Sequence, residues 1–311
     1  MSCKGGLKPH PFEVNMHNNL HILGYASGLA GALPGSGKGP LVLKQSQAMA
    51  ALNQQGIQLH WHALFSPSQT ETQNITQAVK QLSDALAAET QKIIKNDHFF
   101  LVFGGDHTSA IGTWSGAAQA MKPKGDIGLI WIDAHMDSHT PETSLSGHLH
   151  GMPLACLLGY GDQSLTSIAK FTPALKPENV CLIGVRSFEL GEAAFLKKMN
   201  VRIFFIEEVL ERGLAAVLAE AKKIVSQHTI GYGITLDIDS IDPQDAPGTG
   251  VAEPNGLRAA ELCPALTIFA DDPHFIGMEI AEFDPECDHN HKTENLIPVI
   301  ISAATLGRFT L

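Results

Sequence analysis

The feature that most constrains this chain is a series of short, almost wholly apolar runs set between stretches of helical period. Leu20–Tyr25, Phe99–Phe103, Ile127–Ile132, Val180–Val185, Val201–Ile206, Gly233–Ile238 and Phe275–Ile280 read as strands. A strand with one face in water alternates apolar and polar residues. A strand covered on both faces is apolar throughout, as in a parallel sheet packed between helices. Between the runs, Ile75, Val79, Leu82, Leu86 and Ile93 recur at helical spacings, as do Leu214, Val217, Leu218 and Ala221. The alternation predicts an α/β fold with helices on both faces of a mostly parallel sheet. It runs on to a last predicted helix over Thr293–Leu306 without a repeat or low-complexity linker, so residues 1–311 are read as one domain.

In such folds ligands bind beyond the carboxyl ends of the strands. Those ends carry the polar residues here. Phe99–Phe103 is followed by Gly104-Gly105-Asp106-His107, and Ile127–Ile132 by Asp133-Ala134-His135-Met136-Asp137. The Gly233–Ile238 run contains Asp237, followed by Asp239 and Asp242, and Phe275–Ile280 leads to Glu282 and Asp284. In an extended segment residues i, i+2 and i+4 face one side. Asp133, His135 and Asp137 are then expected to project together, and Asp237 with Asp239. Carboxylates packed this closely repel and lose hydration at high cost. Two divalent cations would balance the four aspartates Asp133, Asp137, Asp237 and Asp239, with His107 and His135 adding nitrogen. A carboxylate-rich set without thiolate favours Mn²⁺- or Mg²⁺-like ions, and imidazole tilts the choice towards Mn²⁺, with Co²⁺, Ni²⁺ and Zn²⁺ as alternatives. Asp106, Asp242 and Asp284 are read instead as caps, turns or supporting partners.

Composition excludes several classes. The net charge of −11 suits neither nucleic acid nor an anionic membrane surface. No apolar run approaches the ~18 residues of a membrane span. Met1–Asn15 has no apolar core of a secretory signal. The five cysteines (Cys3, Cys156, Cys181, Cys263, Cys287) are odd in number and never form CxxC, which argues against a disulfide framework and for a reducing, cytoplasmic setting.

Together the segments GGDHT (Gly104–Thr108), DAHMD (Asp133–Asp137) and LDIDSIDP (Leu236–Pro243) resemble the metal motifs of the arginase–agmatinase (ureohydrolase) family, a likeness that runs from Gly37 to beyond Glu282. The resemblance implies a three-layer α/β/α fold and two Mn²⁺ ions held by His107, Asp133, His135, Asp137, Asp237 and Asp239. It further implies hydrolysis of L-arginine to L-ornithine and urea by a metal-bridging hydroxide. Formimidoylglutamase, agmatinase and other guanidino-acid activities are the alternatives, with a non-catalytic metal-binding protein behind them. Family members are commonly trimers or hexamers, so a homo-oligomer is expected.

The stretch His139–Pro153 resembles the family's arginase pattern NTPxTxxSGNxHGxP. The likeness places His150 as the proton-shuttle histidine and Glu282 as the carboxylate that orients the guanidinium. Asp137 would aim the attacking hydroxide while binding metal. His139, Ser146, His148 and Glu189 fall in the segments that read the amino-acid head group. Four departures sit in this outer region. His139 and His148 stand where arginases carry Asn, Glu189 where they carry Asp, and Val251 where Thr is frequent. They point to a guanidino compound other than L-arginine as an alternative substrate. Ser146 is open to a second reading, as a cap for the helix expected near Met152–Leu158.

Two other motifs carry less. Pro34–Gly39 is glycine-rich but lacks GxxxxGK[ST], with Ala32 at the first Gly position and Gly39 at the Ser/Thr position. A nucleotide-binding protein using this loop is therefore a minor alternative. His289-Asn290-His291, near Cys287, reads as a solvated turn before the last helix, with Asn290 as a candidate cap.

Overall fold

The computed structural model describes residues 19–68 and 74–309. Cys3 and the Met1–Asn15 segment lie outside the described residues. The described chain forms one eight-stranded sheet in the order β2-β1-β3-β8-β7-β4-β5-β6, every neighbouring pair parallel. The strands are β1 (Asn19–Tyr25), β2 (Gln58–Phe65), β3 (Phe100–Gly104), β4 (Ile127–Ile132), β5 (Val180–Val185), β6 (Arg202–Phe205), β7 (Gly231–Asp237) and β8 (Phe275–Ala281).

The period of two inside the apolar runs sorts their side chains onto the two faces. Leu20, Ile22, Leu101, Phe103, Ile130 and Ile132 join one buried cluster. Leu23, Tyr25, Phe100, Val102, Leu129 and Trp131 join the other. The helices Leu214–Ser226, Ala259–Leu266 and Lys292–Phe309 supply the far side of the first cluster. Ile75–Lys95 and Ser109–Met121 supply that of the second. This is the three-layer α/β arrangement expected. Burial of this kind stabilises by about 25 cal/mol per Å² of apolar surface, the term that offsets chain entropy.

Seven of the strands match the apolar runs to within two residues at either end. The eighth, β2, is an edge strand, and its sequence QLHWHALF alternates exposed and partly buried residues over its first half instead of running apolar throughout. The capping of the last helix also differs from expectation. Asn290 adopts a left-handed φ of 59° in the turn ahead of it. The Asp288 carboxylate accepts from the backbone N–H groups of Thr293 and Glu294 at 2.9 Å each. A carboxylate there also complements the helix dipole. Pro34–Lys38 is a 3₁₀ turn, not a strand-to-helix phosphate loop.

Candidate metal centre and active site

The sheet order places β3, β8, β7 and β4 side by side, and the four polar strand ends therefore meet. Asp237 is the last residue of β7, and Asp239 lies in the 3₁₀ turn after it, its N–H donating to Asp237 Oδ1 at 2.8 Å. Asp133, His135 and Asp137 follow β4 but do not continue it as a strand. Asp133 Oδ1 takes the backbone N–H of His135 at 2.7 Å, and Asp137 has a left-handed φ of 46°. Convergence of these residues thus comes from turns, not from the alternation of an extended segment.

Two groups of ligand atoms result, His107, Asp133, Asp137 and Asp237 in one and Asp133, His135 and Asp239 in the other. His107 Nδ1 lies 3.3 Å from Asp133 Oδ2, 3.0 Å from Asp137 Oδ2 and 2.9 Å from Asp237 Oδ2. His135 Nδ1 lies 3.0 Å from Asp239 Oδ2 and 3.6 Å from Asp133 Oδ1. Asp133 therefore offers one oxygen to each group, and the Trp131 indole N–H donates to its Oδ2 at 2.8 Å. All six residues expected from the sequence are brought together.

The electrostatics show what is missing from a purely protein account. Burial, and then Asp133, pushes Asp137 up to about 6. Burial, with Asp239 and Asp133, raises Asp237 well above the carboxylate range. Burial raises Asp133 too, but the His107 and His135 imidazoles beside it outweigh that and hold it low. The Arg186 guanidinium, which feels the charge of Asp239 and Asp133, is spent on backbone carbonyls, among them Asp239 O at 2.7 Å and Glu253 O at 2.8 Å. His107 Nδ1 is buried and makes no hydrogen bond. A dense cage of aspartates and histidines, with no lysine or arginine among its ligand atoms in the described residues, and a buried His107 Nδ1 facing three carboxylates fit divalent metal ions.

The remaining site residues line the same cleft. His150 Nδ1 is 3.1 Å from Glu282 Oε1, which also accepts the backbone N–H of His107 at 2.9 Å. Burial would lower His150, but Glu282 beside it pushes it up to about 9. The cleft is lined by His135, Asp137, Asp237 and Asp239 on the metal side and by His139, Ser146, His148 and Glu189 on the outer side. Ser146 Oγ accepts from its own loop, His148 N at 3.2 Å, and does not cap the helix Pro153–Leu157. Asp106, Asp242 and Asp284 hold turns, accepting from the backbone N–H groups of Ala30 and Thr108, of Gln244 and Gly256, and of Glu286.

A residue that sequence reasoning passed over also lies here. Glu192 is 2% exposed, lines the cleft, and its Oε1 accepts from Glu189 N at 3.0 Å. Its burial raises it to about 8. The signal for it was a carboxylate three residues after the cap position of a helix, the spacing of a capping box.

The family model described as "Arginase family" matches residues 18–307. The chain belongs to the arginase family. Its resemblance to an arginase of Brevibacillus brevis is 34% identity over 294 residues, 93% of this chain and 98% of that protein. The crystal structure of an arginase from Bacillus cereus superposes with a TM-score of 0.85 at 32% identity, covering 92% of this chain and 97% of that one. A formimidoylglutamase from Bacillus subtilis shares the fold, with a TM-score of 0.77 at 23% identity. As a member of this metal-dependent family the chain is a hydrolase of linear amidines, and its cluster of histidines and aspartates has the composition and spacing to hold metal ions. Among the described residues no helix is long and apolar enough to cross a membrane.

Proposed function

We propose that the chain hydrolyses L-arginine to L-ornithine and urea at a binuclear manganese centre. The observation that carries this reading is the pair of overlapping ligand groups sharing Asp133, with His150 and Glu282 paired at 3.1 Å in the cleft they open into. His107, Asp133, Asp137 and Asp237 would hold one ion and Asp133, His135 and Asp239 the other. When bound, such ions supply Lewis acidity that makes water a usable nucleophile near neutral pH.

The chain's own residues supply the rest. Guanidinium is a poor electrophile because its charge is shared over three nitrogens, so it must be held in place and its leaving nitrogen protonated. Glu282 Oε1 is already engaged by two donors, leaving Oε2 with open lone pairs for a guanidinium N–H. Asp137 is placed to accept a proton from attacking water. Oxygen adds to the guanidinium carbon, the bond from carbon to the alkyl-bearing nitrogen breaks, and that nitrogen needs one proton. His150 holds Glu282 through Nδ1, so Nε2 is the nitrogen left to deliver it. His139, Ser146, His148 and Glu189 are proposed to read the amino-acid head group.

One observation favours a second substrate within the same chemistry. His139 Nε2 lies 2.8 Å from Glu189 Oε2, so the carboxylate expected at an α-ammonium group already has a partner. A guanidino acid with another head group fits that arrangement. Urea release from L-arginine, agmatine and guanidinobutyrate, with formiminoglutamate followed by formamide release, decides between them. Inert L-arginine beside turnover of another member overturns the first reading, and no turnover of any leaves only a metal-binding protein.

We further propose residues 1–311 as one catalytic domain, assembled as a homo-oligomer and working in the cytoplasm. Four cysteines that are free in the structure support a reducing setting. Sedimentation of the purified chain tests the assembly, a monomer counting against it.

A further inference from the structure

Behind the ligand cage lies a fully buried glutamate that no step above uses. Glu279 of β8 is 0% exposed and is the register partner of Thr235 on β7. A carboxylate this deep persists only where donors surround it. Its Oε1 accepts from Ser109 Oγ at 2.7 Å and lies 3.0 Å from Thr113 Oγ1. Its Oε2 accepts from the Trp114 indole at 2.9 Å and lies 3.0 Å from Thr235 Oγ1. An indole N–H can only donate, so Oε2 is held as an acceptor. Thr113 divides its single proton between Glu279 and the Ser109 carbonyl at 3.0 Å, which makes it the weakest of the four contacts.

The Thr235 hydroxyl also touches a proposed metal ligand, lying 3.0 Å from His107 Nε2. That hydroxyl has one proton. Given to Glu279, it leaves the Thr235 oxygen as an acceptor, so His107 Nε2 carries the ring proton and Nδ1 is the bare nitrogen. Nδ1 is the atom that faces Asp133, Asp137 and Asp237. The opposite tautomer would aim an N–H at the cation position and forbid coordination there. We infer that Glu279, acting through Thr235, is a positioning residue that sets the His107 tautomer for one of the two metal positions. The inference rests on the binuclear reading above. Ring nitrogens remote from a metal are commonly tied to a carboxylate, and losing such a partner costs about 10–100-fold in metal affinity. Here a threonine hydroxyl stands between the two groups.

The test uses the full-length chain, stripped of metal and retitrated with Mn²⁺, bound ions being counted by electron paramagnetic resonance. Wild type should bind two. Thr235→Val keeps the shape and removes the hydroxyl, and it should lose about 10–100-fold in affinity at one position only. Thr235→Ser restores the hydroxyl and should recover both ions. Thr235→Val binding as wild type, or losing both ions alike, overturns the inference. Wild type binding fewer than two overturns the binuclear reading instead. If Thr235→Val does not fold, the nitrogen-15 spectrum of histidine-labelled, zinc-loaded wild type decides. A His107 ring with a hydrogen-bonded Nε2–H upholds the inference, and a ring protonated at Nδ1 overturns it.

Discussion

His150 Nδ1 and the backbone N–H of His107 share one oxygen of Glu282, at 3.1 and 2.9 Å. The proposed proton donor is thereby tied to the main chain of a proposed metal ligand through a carboxylate whose own φ is 63°. The pairing has a measurable effect on stability. Burial would lower His150, yet its contact with Glu282 holds it at about 9. A histidine raised on folding contributes stability that is complete below its unfolded value of ~6.5 and disappears as pH climbs through the folded value. The contribution is at most about 3.5 kcal/mol, since a tenfold change in proton affinity is worth ~1.4 kcal/mol. Stability of the metal-free protein should therefore fall between roughly pH 6.5 and 9. Glu282→Gln should flatten that limb and move the His150 titration down from about 9. An unchanged His150 titration in that variant would mean the pair is not what holds it.

Metal removal should act on stability through the same buried acids. Burial and the neighbouring carboxylates Asp239 and Asp133 raise Asp237, and burial with Asp133 raises Asp137. Ions that bind only the folded chain add about 2.7 kcal/mol per site at a hundredfold excess over Kd. Two sites then give about 5 kcal/mol, or roughly 10 °C in Tm for a chain of this size. Chelation should lower Tm by that order. Asp237→Asn should behave in reverse, raising the Tm of the metal-free protein by relieving repulsion while abolishing most of the Mn²⁺-dependent rise. A Tm indifferent to Mn²⁺ in wild type would remove the case for buried ions.

The contrast between β8 and the loop after β4 shows which parts of this site are legible in the sequence. Residues 275–280 read correctly as a strand, and Glu282 stands out because it lies just past a strand end. Glu279 does not, because a lone acid inside an apolar run has no local pattern. Its donors come from Ser109, Thr113, Trp114 and Thr235, which are 170, 166, 165 and 44 residues away. The six candidate ligands are legible as residue types at strand ends. The route by which Asp137 turns inward is not, since a left-handed φ at a non-glycine residue is imposed by tertiary contacts. β2 escapes for a different reason: at a sheet edge one face is open, so His60 and His62 are exposed between Leu59, Trp61 and Ala63.

The ground beneath the cage tolerates no added volume at Gly233. A Cβ there would stand 2.1 Å from two atoms of the Trp114 ring, the ring whose indole N–H anchors Glu279. Trp114 is fully buried and packs against Phe100 at 5.6 Å between centroids, so it has nowhere to yield. Gly233→Ala should cost about 1–3 kcal/mol as overpacking. Chemical denaturation would show the midpoint falling with little change in slope. Full stability in that variant would show that Trp114 can shift, and Glu279 with it.

The outer cleft offers a test of substrate choice that leaves the metal cage alone. His139 Nδ1 is 3.1 Å from Thr143 Oγ1 while Nε2 meets Glu189, whose carboxyl that imidazole holds below its usual range. An imidazole fixed at both nitrogens occupies the acceptor that an α-ammonium group would use. Asparagine is shorter and uncharged, and it cannot bridge Thr143 and Glu189 in the same way. His139→Asn should free Glu189 and raise kcat/KM for L-arginine relative to guanidino acids without an α-amino group. A close charge-assisted contact of about 1.5–3 kcal/mol corresponds to roughly 10–100-fold in that ratio. Mn²⁺ stoichiometry should stay as in wild type, because His139 belongs to neither of the two groups that share Asp133. If the ratio does not move while metal content holds, the His139–Glu189 pair serves the loop's structure and does not read the substrate.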